Sequence, residues 1–219
     1  MTDMARFFVG ITGASGHAYA EGLIRGLVAG GHGVDLSITR AGALVIRHEL
    51  GVEAGERGEL LEGALEGWLG EDVAKEVEVF LPEEVGAPPS SGTAMGSGAI
   101  LAPCSMGTMA RVAAGFSSNL VERVADVALK EGRRLVLVPR ETPLSQIHLE
   151  NMARLASMGA VILPAMPGFY HGPETVEDLV SHVVGKILDC VGVEHAVSSR
   201  WSGLEEPPVE PGTEPLSER

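Results

Sequence analysis

Apolar positions fall into short β-branched runs bounded by Gly, Pro, Ser or Thr, and most runs lead into a segment of helical spacing. The clearest is Leu135-Val136-Leu137-Val138, a continuous run of the kind that forms a strand buried on both faces. Pro139 ends it, so Arg140 and Glu141 are expected at the strand's C-terminal edge. Thr142-Pro143 then turns the chain, Ser145 is placed to cap, and a helix is expected from Gln146 to about Met158. Residues 6–12 predict a strand, then the Gly13-Ala14-Ser15-Gly16 turn and a helix to about Val28. Residues 33–39 predict a second strand, with a helix from about Ala41 that carries Glu49. Residues 51–75 read as connecting helix and loop, and residues 76–81 as an edge strand. Further strands are expected at 99–102, closed by Pro103, and at 161–163, with helices over about 106–114, 119–131 and 175–191. This alternation predicts an α/β domain with helices on both faces of an open, mostly parallel sheet. Residues 82–98 form a long Pro/Gly/Ser loop; such loops are usually functional or disordered, which makes a lid worth considering there.

Composition narrows the function. The chain has 219 residues, enough for one domain burying roughly 70% of its unfolded surface. A single domain is expected over 1–201, with an acidic, proline-rich tail at 202–219 expected to be disordered. The formal charge of −14 argues against nucleic acid or an acidic membrane as partner. Positive charge is nevertheless gathered locally. Seven of the 16 Lys and Arg lie between Arg111 and Arg154, against five acids, whereas residues 49–84 hold twelve acids against Arg57 and Lys75. The two cysteines, Cys104 and Cys190, make no disulfide framework and no zinc spacing. No apolar run reaches the ~20 residues of a spanning helix. The first strand starts so early that no signal peptide is expected, which points to the cytoplasm.

Several residues carry candidate chemistry. A strand, a glycine-rich turn and a helix present backbone N–H groups and a helix dipole to an anion, although the spacing here is not GxGxxG. Ser15 is either the helix N-cap or a hydroxyl aimed at the ligand. A second junction, Cys104-Ser105-Met106-Gly107-Thr108, repeats the arrangement, and two in one sheet favour a nucleotide-like ligand. Ligands of open α/β sheets bind beyond the strands' carboxyl ends at a topological switch point. Arg140 beside Glu141 there reads as a binding cation next to a proton carrier, or as a surface ion pair. Arg123 and Lys130 are seven residues apart on one helix face, roughly 10 Å along the axis, as ligand groups or as solvated charges. Tyr170 sits in a rigid loop over 164–171, and Lys186 on the last helix.

These motifs resemble a known family. TGASG at 12–16, PCSMGT at 103–108, ERVADVALKEGRRLVLVPRETPLSQIHLENM at 122–152 and GAVILPAMPGFYH at 159–171 are similar to the UbiX-type flavin prenyltransferases. The resemblance spans about 7–201 and is most specific over 122–171. It implies a flavodoxin-like, Rossmann-like sheet, a dodecameric homo-oligomer, and transfer of a dimethylallyl group from dimethylallyl phosphate to reduced FMN. The product, prenylated FMN, would serve a UbiD-type decarboxylase. By resemblance, Gly13, Ala14, Ser15, Thr39, Ser105, Met106, Gly107, Thr108 and Arg140 would bind FMN. Arg123, Lys130, Arg140, Tyr170 and Lys186 would hold the donor phosphate, and Trp201 would line the prenyl pocket. Ser15, Glu49 and Glu141 would handle protons near flavin N5, the carboxylates with raised pKa values. The cationic cluster would stabilise phosphate departure without a metal.

The chain departs from the family in two places. Lysine stands at 186 where arginine is frequent, keeping the charge but losing the bidentate fork. The tryptophan that some members carry before Ala87-Pro88-Pro89 is missing. Two rival readings are a related flavin-dependent cysteine decarboxylase and a non-catalytic FMN carrier. The former typically has PASANT where PCSMGT stands and a histidine near Glu49; His48 points about 100° away on a helix. A carrier has no need of so many phosphate-binding groups.

Overall fold

The computed structural model describes residues 4–198, so Trp201 and the expected tail at 202–219 lie outside the described residues. Six strands form one sheet: β1 (Arg6–Ile11), β2 (Gly33–Ile38), β3 (Val77–Phe80), β4 (Gly98–Cys104), β5 (Arg134–Pro139) and β6 (Val161–Ile162). Their order is β3-β2-β1-β4-β5-β6 and every neighbouring pair is parallel. This is the doubly wound order, with its switch point between β1 and β4. The β5 edge singled out from the sequence therefore stands one strand away from that point.

Strand alternation sorts the core into two layers. Val9, Ile11, Leu36, Ile38, Val136 and Val138 pack with α1 (His17–Ala29), α2 (Arg40–Leu50), α3 (Ala64–Leu69) and α8 (Val176–Val191). Phe8, Ala99, Leu101, Leu135 and Leu137 face the other way, against α5 (Met106–Ala113), α6 (Leu120–Lys130) and α7 (Gln146–Ser157). A short α4 (Glu71–Ala74) precedes the edge strand. Ser145 caps α7 as expected, in a capping box closed by His148.

Two local expectations need correction. β4 runs through Pro103 to Cys104 instead of closing at Ala102. Proline ends a ladder only where its missing N–H is needed; here its carbonyl still accepts the Thr12 hydroxyl at 2.8 Å. The 82–98 segment is folded down, not a free lid. It includes a 3-10 turn at Pro88–Ser90 and buries Pro89, Ser90 and Met95. The Leu120 N–H donates to the Pro82 carbonyl at 2.7 Å, holding the start of the segment to α6.

Candidate active site

A cavity of about 450 Å³ opens at the carboxyl edge of the sheet, lined by Gly13, Thr39, Arg40, Ala41, Ser105, Thr108, Arg111, Ser118 and Asn119, with Pro82 and Glu83 at its rim. Three helices begin on it. Thr39 caps α2, its Oγ1 accepting the Gly42 N–H at 3.1 Å; Ser105 caps α5 through the Thr108 N–H; Asn119 caps α6 through the Glu122 N–H. Each start carries partial positive charge, so the cavity favours an anion. Gly13 lets the turn approach α2 closely, since a Cβ there would lie 2.6 Å from the Ala41 Cβ.

Thr12, which the sequence reading passed over, sets the two polar turns side by side. It is fully buried, donates to the Pro103 carbonyl and accepts the Ser105 N–H at 2.7 Å. Arg111 and Glu122 were also unforeseen. Glu122 is completely buried, yet bonded by Arg111 and by the Ser118 hydroxyl and N–H. Burial alone would raise its pKa; the Ser118 and Arg111 hydrogen bonds outweigh that and hold it below the usual range. Its signal was present in Asn119-x-x-Glu122, a capping pattern marking one more helix start.

The glycine turn is organised by Glu49. Its carboxylate accepts the N–H groups of Gly16 and His17, each at 2.9 Å, and lies 3.1 Å from the His17 Nδ1. Gly16 takes φ +113°, which favours glycine, and occupies the cap position of α1 without a side-chain bond. Ser15 is therefore not the cap; its hydroxyl bonds Glu49. The expected raised pKa at Glu49 is reversed. Burial pushes upward, but the Ser15 hydroxyl, the two backbone N–H groups and His17 pull it down to about 2. Glu49 is a stabilised anion at the foot of α1. His17 is fully buried and burial lowers its pKa, so it is neutral near pH 7.

Arg140 extends from the end of β5, and its Nε donates to the Ser15 carbonyl at 3.0 Å, which joins it to the glycine turn. Glu141 is exposed and accepts the Thr142 N–H at 2.9 Å. Ala14 is buried and Gly107 exposed, while Met106 turns its side chain into the core, leaving only its backbone for a ligand. Tyr170 stands in the loop after β6, and Lys186 is exposed on α8. The five expected donor-phosphate groups do not meet in one chain. Arg123 pairs with Asp126 at 3.3 Å and Lys130 with Glu131 at 2.6 Å, both on α6, across the sheet from α8. Spacing along one helix reports its face but not which layer that helix joins. Cys104 is fully buried with its thiol pushed up to about 12, so it is no nucleophile. Among the described residues, no group of three or more His, Cys, Asp or Glu is placed to hold a metal, and no helix is long and apolar enough to cross a membrane.

Comparison with known proteins agrees with this geometry. The Flavoprotein family model matches residues 1–188. The flavin prenyltransferase UbiX of Halalkalibacterium halodurans is 49% identical over 195 residues, covering 89% of this chain and 92% of its own. A UbiX structure in complex with FMN and dimethylallyl pyrophosphate superposes with TM-score 0.80 at 35% identity, covering 92% of this chain and 100% of that one. A dodecameric FMN-dependent UbiX-like decarboxylase from Escherichia coli O157:H7 gives TM-score 0.78 at 40% identity over 90% of this chain and 100% of that one. The family match, the superposition and the sequence identity over about nine-tenths of the chain thus agree, and the chain belongs to the flavoprotein family as a UbiX-type flavin prenyltransferase.

Proposed function

We propose that the chain joins the dimethylallyl group of dimethylallyl phosphate to reduced FMN, releasing phosphate and prenylated FMN. The observation that carries this reading is the meeting of three helix starts on one cavity, in a chain of this family. The residues present fit FMN: Gly13 leaves room at the turn, and Thr39, Ser105, Thr108 and Ser118 supply hydroxyls beside helix N-termini. When bound, the reduced flavin supplies the nucleophile at N5 and closes a ring through C6. Arg140, anchored on the Ser15 carbonyl, orients cofactor and donor phosphate together. Ser15 passes a proton, its hydroxyl directed by the Glu49 anion, and Glu141 serves as the outer acid/base. Tyr170 and Lys186 take the departing phosphate, whose developing charge their fixed donors stabilise.

Arg123 and Lys130 are assigned to the donor site of a neighbouring protomer, because α6 lies in the opposite layer to α8. This makes the active species a homo-oligomer, on our reading a dodecamer, working in the cytoplasm and handing its product to a UbiD-type decarboxylase. A cysteine decarboxylase is expected to have a histidine in the region of α2 where Glu49 stands, whereas the neighbouring His48 is exposed to solvent. Incubation with FMN, a reductant and dimethylallyl phosphate tests the proposal. The flavin should gain one dimethylallyl unit by mass spectrometry; FMN binding with no mass gain over a full time course refutes transfer and leaves a carrier.

A further inference from the structure

One cluster of titratable side chains lies outside the cavity. The rings of Tyr170, His171 and His182 meet with centroids 5.6, 5.5 and 4.8 Å apart, and the two imidazoles stack with planes 5° from parallel. The chain brings them together at the carboxyl edge. The Ala165 N–H donates to the Pro139 carbonyl at 3.0 Å, which turns the loop after β6 past the end of β5, next to Arg140. Gly168 then lies against the Tyr170 ring and His182, where a Cβ would stand 2.7 Å from Tyr170 Cε1 and 3.4 Å from His182 Nε2. Lys186 follows His182 by one helical turn, on the same face of α8. Both ring nitrogens of His171 are shielded from solvent and lack a hydrogen-bond partner among the described residues. Such groups cost stability unless something arrives to bond them.

We propose that His182, with His171 stacked on it, belongs to the donor-phosphate site and takes up a proton as the phosphate binds beside Tyr170 and Lys186. This rests on the assignment of Tyr170 and Lys186 to that phosphate. Without the donor, burial, His171 and Lys186 together hold His182 below the usual imidazole range, so it is neutral near pH 7. A phosphate within hydrogen-bond reach adds negative charge beside His182 and favours its charged form. The added charge offsets what a lysine lacks beside an arginine fork at position 186.

The other charged or titratable groups facing the pair among the described residues are few. Tyr170 comes from the loop, and Lys186 and Asp178 from α8, where Asp178 interacts with His171. α1 packs on α8 through Gly22 and Gly26, against Val180, Val184 and Leu188. Its charged residues, Glu21 and Arg25, bond each other and the Trp68–Leu69 segment instead.

Calorimetric titration of dimethylallyl phosphate into protein loaded with oxidised FMN tests this, because binding is then read without transfer. Repeating it in buffers of different ionisation enthalpy counts the protons exchanged. Wild type should take up more protons than His182→Phe, which keeps an aromatic ring in place. From pH 6 to 8 its donor Kd should rise more steeply, by up to about tenfold per pH unit for one linked proton. His182→Lys should keep donor affinity while losing the uptake, since its charge is permanent. The donor's own second ionisation, near pH ~6, is common to all three proteins and cancels in the comparison. The absorbance of bound FMN reports that each variant is folded. Equal proton counts and equal pH slopes in wild type and His182→Phe overturn the inference alone. A donor that fails to bind wild type overturns the functional reading, and the inference with it.

Discussion

Glu49→Gln separates the roles of the carboxylate at the glycine turn. Its charge is held by the Gly16 and His17 N–H groups, the His17 ring and the Ser15 hydroxyl, and its pKa falls from an ordinary 4.5 to about 2. At about 1.4 kcal/mol per decade, the whole difference would be about 3 kcal/mol. The side chain is 23% exposed on an open rim, so solvent screening reduces this to about 1–2 kcal/mol. Glutamine keeps an oxygen for the N–H groups but loses the charge that strengthens those bonds. For a chain of this size the loss is about 3–6 °C in Tm. The pH dependence has a definite sign. A depressed carboxylate pKa contributes stability that is fully present above the unfolded value of 4.5 and is lost as pH falls toward about 2. Urea unfolding at fixed protein concentration, followed through the buried Trp68, should show the variant weaker at pH 7 and the gap narrowing only below about pH 4.5. Equal stability at pH 7, or a gap that narrows between pH 8 and 6, would show that the carboxylate does not hold the turn as an anion.

Three further outcomes follow from the same geometry. Glu122→Ala leaves Arg111 without its partner and frees the Ser118 groups, so stability should drop by about 3 kcal/mol in urea unfolding, with the wild-type advantage shrinking as pH falls below 4.5. Thr12→Val strips the Ser105 N–H and the Pro103 carbonyl of a buried partner; a loss of about 1–3 kcal/mol and weaker FMN binding by fluorescence titration are expected together, and unchanged values for both would contradict the bridge. Gly13→Val places carbon against Ala41 at the cavity wall, so FMN affinity should fall at least tenfold while the secondary-structure signal in circular dichroism is retained.

Much of the architecture was legible from local pattern. Leu135 to Val138 read as a strand buried on both faces and Ser145 as a cap, because caps and apolar runs act within a few residues. Gly16 was not singled out: the sequence offered Ser15 as the cap of α1, whereas the tight turn gives that position to the residue that accepts a positive φ. What depended on partners distant in sequence was not legible. Glu49 was read as a proton carrier of raised pKa because nothing in its own helix reveals that the turn 33 residues earlier points its N–H groups at it. Thr12 and Ser105 meet across 93 residues, and the union of Arg111 with Glu122 depends on how α5 packs beside α6. Arg123 and Lys130 share a helix face, as their spacing required, yet the sheet separates them from Lys186. The sequence alone thus determined most elements and several of their caps, since propensity and periodicity are written in neighbouring residues, while its motifs carried the resemblance to the family. Only the tertiary structure decided which charges share a dielectric boundary, and so which carboxylate is an anion and which imidazoles touch, because those energies depend on distance in space and not along the chain.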